Sequence, residues 1–140
     1  MVRELAGEAA GRRERFSPTQ PLFREDSNNS GVFLVVKGKA CMSVKGLPKL
    51  DRMFSAGSLL GLPSTFTGHP YSLTATALTE LDAVHVPAEE FLRLMREQTE
   101  LCREATEMLG REVTFIQSAL AERRKQTLAR KLTSAELVMS

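Results

Sequence analysis

No stretch of this 140-residue chain approaches the ~18 consecutive apolar residues that would span a bilayer. The opening MVRELAGEAAGRRERF lacks the ~7–15-residue apolar core of a secretion signal, so a cytoplasmic location is expected. Cysteine is scarce. Cys41 and Cys102 fit no zinc-ligand spacing and cannot supply the four thiolates of an iron–sulfur cluster, so both are expected as free thiols in a reducing compartment. Net charge is +2, too small by itself to argue for nucleic acid or a membrane surface. Proline is absent beyond Pro87, and glycine beyond that point occurs only at Gly110. The most telling absence is of charge: no Lys, Arg, Asp or Glu lies between Arg52 and Glu80.

What is present divides at Pro87. Before it, turn residues recur every 8–12 residues or so, the rhythm of a sandwich or barrel. The Ala-, Glu- and Arg-rich Val2–Arg15 reads as a short helix ending near Gly11. Phe16–Phe23, with two prolines, reads as an extended edge segment. Val32–Val36, apolar on both faces, is the strongest strand signal. Ala40–Val44 is expected to pair with it across Lys37-Gly38-Lys39. Further strands are expected at Lys49–Phe54, Leu73–Leu78 and Ala83–Val86. After Pro87, Glu89 and Glu90 suit the first turn of a helix. From about Gln98 a second helical pattern places Leu101, Ala105, Leu109, Val113, Ile116 and Leu120 on one stripe. Over Leu109–Leu120 the stripe is near-heptad, which fits a partner helix, although packing on the chain's own sheet gives the same pattern. The boundaries expected are a roll with short flanking helices over 1–96, a dimerisation helix over 97–133 and a tail over 134–140.

The chargeless stretch, SAGSLLGLPSTFTGHPYSLTATALT (Ser55–Thr79), has the layout of a sheet-based anion pocket. A turn at Gly57 precedes a small-residue corner, Gly61-Leu62-Pro63. A polar loop follows, then a strand alternating apolar residues with threonine. Such corners aim backbone amides at an anion, yet this one offers no cation beside them.

The succession FSPTQPLF, VFLVVKGKACMSV, FSAGSLLGLP, PYSLTATAL and VPAEEFLRLM resembles the cyclic-nucleotide-binding domains of Crp/Fnr-type transcriptional regulators, over roughly Arg15 to Leu120. The resemblance implies a mainly β fold: an antiparallel β-roll (a double-stranded β-helix or jelly roll) followed by a long C-terminal helix that pairs two subunits. In cyclic-AMP-binding members a Gly-Glu pair binds the ribose, and an Arg-Ser about ten residues later binds the phosphate. Gly61 matches the glycine and Ser72 the serine. Leu62 stands at the glutamate position and Tyr71 at the arginine. A phosphate held without that cation forgoes a charge-assisted hydrogen bond of ~1.5–3 kcal/mol, roughly tenfold to a hundredfold in affinity. Cyclic AMP binding in the usual way is therefore disfavoured, and no cofactor is expected. The candidate cassette comprises Gly61, Leu62, Pro63, Tyr71, Ser72 and, from the long helix, Gln117. Tyr71 either donates its hydroxyl to a small ligand or fills the space an arginine leaves.

Competing chemistry finds little support. His69 and His85 are the only histidines. A cupin-type metal site needs three or four clustered ligands, and His85, between Val84 and Val86, is expected to face solvent. No catalytic serine elbow or phosphate loop occurs, so the chain is read as non-catalytic. The basic end, AERRKQTLARKLT, could touch phosphates non-specifically but carries no base-reading element. In the family this is where the helix hands over to a DNA-reading winged helix, for which the residues to Ser140 leave no room. The reading is therefore a homodimeric sensor domain with an unknown small effector, contacting DNA only through a reader domain and no membrane. The alternatives are a ligand-free dimeric scaffold, or a true cyclic-nucleotide binder with a non-standard cassette.

Overall fold

The computed structural model describes residues 11–47 and 51–139, with side chains as far as Leu132. Eight strands form two four-stranded antiparallel sheets. They are β1 (Arg12–Phe16), β2 (Pro21–Phe23), β3 (Val32–Lys37), β4 (Lys39–Ser43), β5 (Arg52–Ser55), β6 (Leu59–Leu60), β7 (Thr74–Ala77) and β8 (Leu81–Val86). One sheet runs β1-β8-β3-β6 and the other β2-β7-β4-β5. Three helices complete the fold: α1 (Leu62–Thr67), α2 (Ala88–Glu97) and α3 (Thr99–Met139). This is the expected β-roll with a long C-terminal helix, and α3 runs on to Met139, within the residues expected as a tail.

The doubly apolar character of β3 has a direct cause. Phe33 and Val35 enter the core between the sheets, with Phe16, Phe23, Met42, Tyr71 and Phe115. Val32 and Leu34 point the other way, into a second core under α2 and α3 with Leu62, Phe91, Leu94 and Leu101. The first sheet is thus covered on both faces, and such strands lose the polar–apolar alternation of a half-exposed strand.

Three local expectations need correcting. The helix expected to end near Gly11 lies, to residue 10, outside the described residues, and the last part of the stretch assigned to it, Arg12–Arg15, is strand. Helix propensity is a weak local preference that tertiary pairing overrides. Here β1 pairs with β8 in register from Arg12↔His85 to Phe16↔Leu81, and Asp82 takes ion pairs from Arg13 and Arg15. Next, β3 and β4 do not form a hairpin. β3 pairs with β6 and β8, whereas β4 pairs with β5 and β7. Gly38, at φ 94°, turns the chain from one sheet to the other where a Cβ would collide with the Glu80 carbonyl oxygen; only glycine combines that backbone with that approach. Finally, the polar loop after Gly61 contains the six-residue helix α1. Of the strand expected at Lys49–Phe54, residues 49–50 lie outside the described residues and β5 begins at Arg52.

The apolar stripe of the long helix divides in two. Leu101, Ala105, Glu112, Phe115 and Ala119 are buried against the chain's own roll. Leu109, Val113 and Ile116 are only half-buried, and Leu120 is 49% exposed. The spacing predicted one continuous face, but the helix turns a neighbouring face to the roll, and that face includes an acid.

Candidate ligand cassette

The corner Gly61-Leu62-Pro63 joins β6 to α1. Gly61 sits at φ 91° at the N-terminus of α1, which has no side-chain cap of its own. A Cβ there would meet Tyr71 Cε1 at 3.1 Å and the Gly31 carbonyl oxygen at 3.2 Å, so the tight backbone and the close tyrosine ring both demand glycine.

Tyr71 fills the corner. It is 2% exposed, and its ring stacks on Phe23 with centroids 4.0 Å apart at 13°. Its hydroxyl donates to the Gly31 carbonyl at 2.6 Å and accepts from the Ser30 N–H at 3.1 Å, with Ser30 Oγ also at 3.1 Å. A phenol has one proton to donate, and Gly31 holds it. Of the two roles open to Tyr71, the geometry matches the space-filling one.

The remaining candidates separate. Pro63 and Ser72 line the same small cavity as Gly61 and Tyr71. Ser72 is otherwise exposed, and its N–H donates to Ser64 Oγ at 3.2 Å. Leu62 is fully buried, but its side chain belongs to the second core, beneath α2; only its backbone faces the corner. Gln117 is exposed and lies outside the cavity lining. The family resemblance puts base-contacting positions near Ile116 and Gln117, but on a helix one residue means 100° of rotation. The roll takes the face of Phe115 and Ala119, which turns Gln117 outward.

A group that the sequence reading missed takes its place. Glu112, 2% exposed, projects from α3 to the small cavity that Gly61 and Tyr71 line, and the backbone N–H groups of Gly61 and Leu62 favour its charged form. Its Oε1 has no hydrogen-bond partner. Burial outweighs the two donors and pushes the Glu112 carboxyl up to about 8, because a low-dielectric site penalises the charged form. The one signal available in the sequence was an acid three residues before Phe115 and seven after Ala105, on the face that the buried residues share.

With Glu112 and Tyr71 in place, the cavity amounts to about 10 Å³, the room of a single water. Among the described residues no Lys or Arg lines this cavity, and the Glu112 carboxyl borders it. Two larger clefts open nearby. One of about 260 Å³ lies between Ser55–Leu59 and Met108, Arg111 and Glu112. The other, about 240 Å³, lies between Ser72, Leu73 and Ile116, Ala119, Leu120. Its rim carries an ion pair from Arg123 to Glu25 at 3.1 Å.

His85, expected to face solvent, instead stacks on Phe33 at 4.3 Å and 3°. Its Nε2 donates to the Ser30 carbonyl at 2.9 Å, and its Nδ1 lies 3.2 Å from a Glu14 carboxylate oxygen. His85 takes the face of the sheet that Phe33 occupies while Val84 and Val86 enter the second core, which the alternation of β8 alone could not foretell. Among the described residues no group of three or more metal-ligating side chains comes together.

Comparison with known proteins agrees with this architecture. The family profile of the cyclic nucleotide-binding domain matches residues 13–98. A search of curated proteins finds no match. Among solved structures, the catabolite activator protein of Thermus thermophilus superposes with a TM-score of 0.67 at 19% identity, over 83% of this chain and 56% of that one. A structure from a cyclic-GMP-dependent signalling pathway that regulates bacterial phytopathogenesis superposes at 0.68 and 22%, over 81% and 94%. The second cyclic-nucleotide domain of PKAR with bound Sp-2Cl-cAMPS gives 0.56 at 15%, over 76% and 75%. The chain spans just over half the length of the Thermus protein.

Proposed function

The chain belongs to the cyclic nucleotide-binding domain family, and from that membership we propose that it is a non-catalytic sensor and dimerisation domain of a Crp/Fnr-type transcriptional regulator. It acts in the cytoplasm, without taking up cyclic AMP in the usual way. The observation that carries the second half of this reading is the cassette itself, filled by Tyr71 and Glu112 to a residue of about 10 Å³. Titration calorimetry with cyclic AMP and with cyclic GMP is expected to give no heat of binding in the micromolar range. Micromolar affinity for either nucleotide overturns the reading.

The same filled corner favours a second reading, a scaffold that keeps the dimer helix and senses nothing diffusible. The two diverge on response: a sensor changes its subunit pairing with some effector, and a scaffold does not. DNA, on either reading, is contacted through a reader domain.

The pairing surface is the stripe that the roll leaves uncovered. Leu120, 49% exposed, continues the half-buried Leu109, Val113 and Ile116 along α3, whereas the exposed Leu128 and Leu132 lie about 80° and 120° further round the helix. Against a second copy of α3 each such leucine would bury ~1.5–3 kcal/mol of apolar surface, roughly tenfold to a hundredfold in affinity. Leu120→Glu is therefore expected to weaken a homodimer at least tenfold by light scattering, with the circular dichroism spectrum unchanged. A variant that dimerises as the parent does would place the interface elsewhere. Among the described residues no helix is long and apolar enough to cross a membrane.

A further inference from the structure

Burying a carboxyl on the sheet-facing side of a helix is costly unless something holds it. Glu112 lies between buried Ala105 and buried Phe115 on α3, where an apolar residue would pack without penalty. It borders the small cavity at the Gly61 corner, where the backbone N–H groups of Gly61 and Leu62 favour its charged form and α1 begins without a side-chain cap. We propose that the Glu112 carboxyl is the resident ligand of the cassette's anion seat, fastening α3 to the corner, and that an external oxyanion enters only by displacing it.

Three further observations converge on the assignment. The cavity that the carboxyl shares with Gly61 and Tyr71 is too small for a second ligand. The seat has no cation, so it suits a group that can shed its charge better than a phosphodiester, which cannot. Glu112 also borders the 260 Å³ cleft beside Met108 and Arg111, which gives the side chain somewhere to withdraw. The ionisable groups bordering it from the roll and from its own helix are Tyr71 and Arg111. Neither contributes to the upward push on Glu112, which comes from burial. The cassette is thus a latch between the roll and the pairing helix, closed by the chain itself.

The assignment deepens the reading of the cassette above and rests on it only for the absence of nucleotide. It is tested by following the backbone amide resonances of Gly61 and Leu62 in the full chain from pH 5 to pH 10, in the parent and in Glu112→Gln. Both amides are expected to shift together in the parent, with a midpoint well above the ordinary carboxylate range, and to lose that transition in Glu112→Gln. Amides that do not titrate, or that titrate alike in both proteins, overturn the assignment whatever the nucleotide titrations show. Glu112→Ala supplies a second arm. Sodium acetate is expected to raise its melting temperature saturably, while leaving the parent unmoved, and inorganic phosphate reports whether a larger oxyanion enters. Acetate acting no differently from chloride at equal ionic strength counts against the seat. Tight binding of cyclic AMP by the parent would instead sink the functional reading, leaving the latch to the amide titration.

Discussion

Replacing Tyr71 with alanine is expected to lower the unfolding free energy by ~3–5 kcal/mol, the range of deletions of buried aromatic rings. The ring is among the largest fully buried side chains, it stacks on Phe23, and its removal would open a void at the meeting point of β6, α1 and α3. Phenylalanine separates packing from polarity. Tyr71→Phe keeps the stack but strands the buried Gly31 carbonyl, and is expected to cost about 1–3 kcal/mol. Urea denaturation of the three proteins measures both steps. An alanine variant within 1 kcal/mol or so of the parent would mean that the corner is soft and the tyrosine dispensable. The same series bears on why the arginine position holds a tyrosine: this residue closes the corner with its ring and spends its only proton on the backbone.

The second large effect is a stability that falls as pH rises. Glu112 has a folded-state pKa near 8 against an ordinary 4.5. Between those values the folded chain keeps a proton that the unfolded chain has lost, so each unit of rising pH favours unfolding. One group in that window contributes a slope of about 1.4 kcal/mol per pH unit. Below the window both states are protonated and the contribution is fully retained; above it both are ionised and the loss is complete. Glu112→Gln, which cannot ionise, is expected to flatten this component. Urea midpoints at pH 5, 6.5 and 8 for parent and variant isolate it from the other titrating groups. Parallel curves for the two proteins would show that the carboxyl is not held where the fold places it.

Glu112 also marks the boundary of what could be read without coordinates. The alternation of Thr74–Ala77, the doubly apolar β3, the acidic first turn of α2 and the start of α3 near Gln98 are local patterns, and each survives because neighbours in sequence set it. The lack of charge from Arg52 to Glu80 is likewise a property of the string, and it is what disfavours a phosphate ligand. Residues whose role depends on distant partners did not come through. Arg12–Arg15 form a strand because β8 lies beside them, and His85 reads as an outward residue until Phe33 stacks on it.

The sequence by itself determined a roll of short strands, a long terminal helix and a cassette stripped of its cation, because periodicity and side-chain chemistry are short-range and additive along the chain. Only the tertiary structure decided that β3 and β4 part into different sheets at Gly38, that Leu62 turns into the far core, and that an acid fifty residues downstream lies in the cassette. The reason is rotational: a helix moves each successive side chain by 100°, so which face meets the roll is settled by packing the two bodies together. That packing brought Glu112, rather than Gln117, to the amides of Gly61 and Leu62.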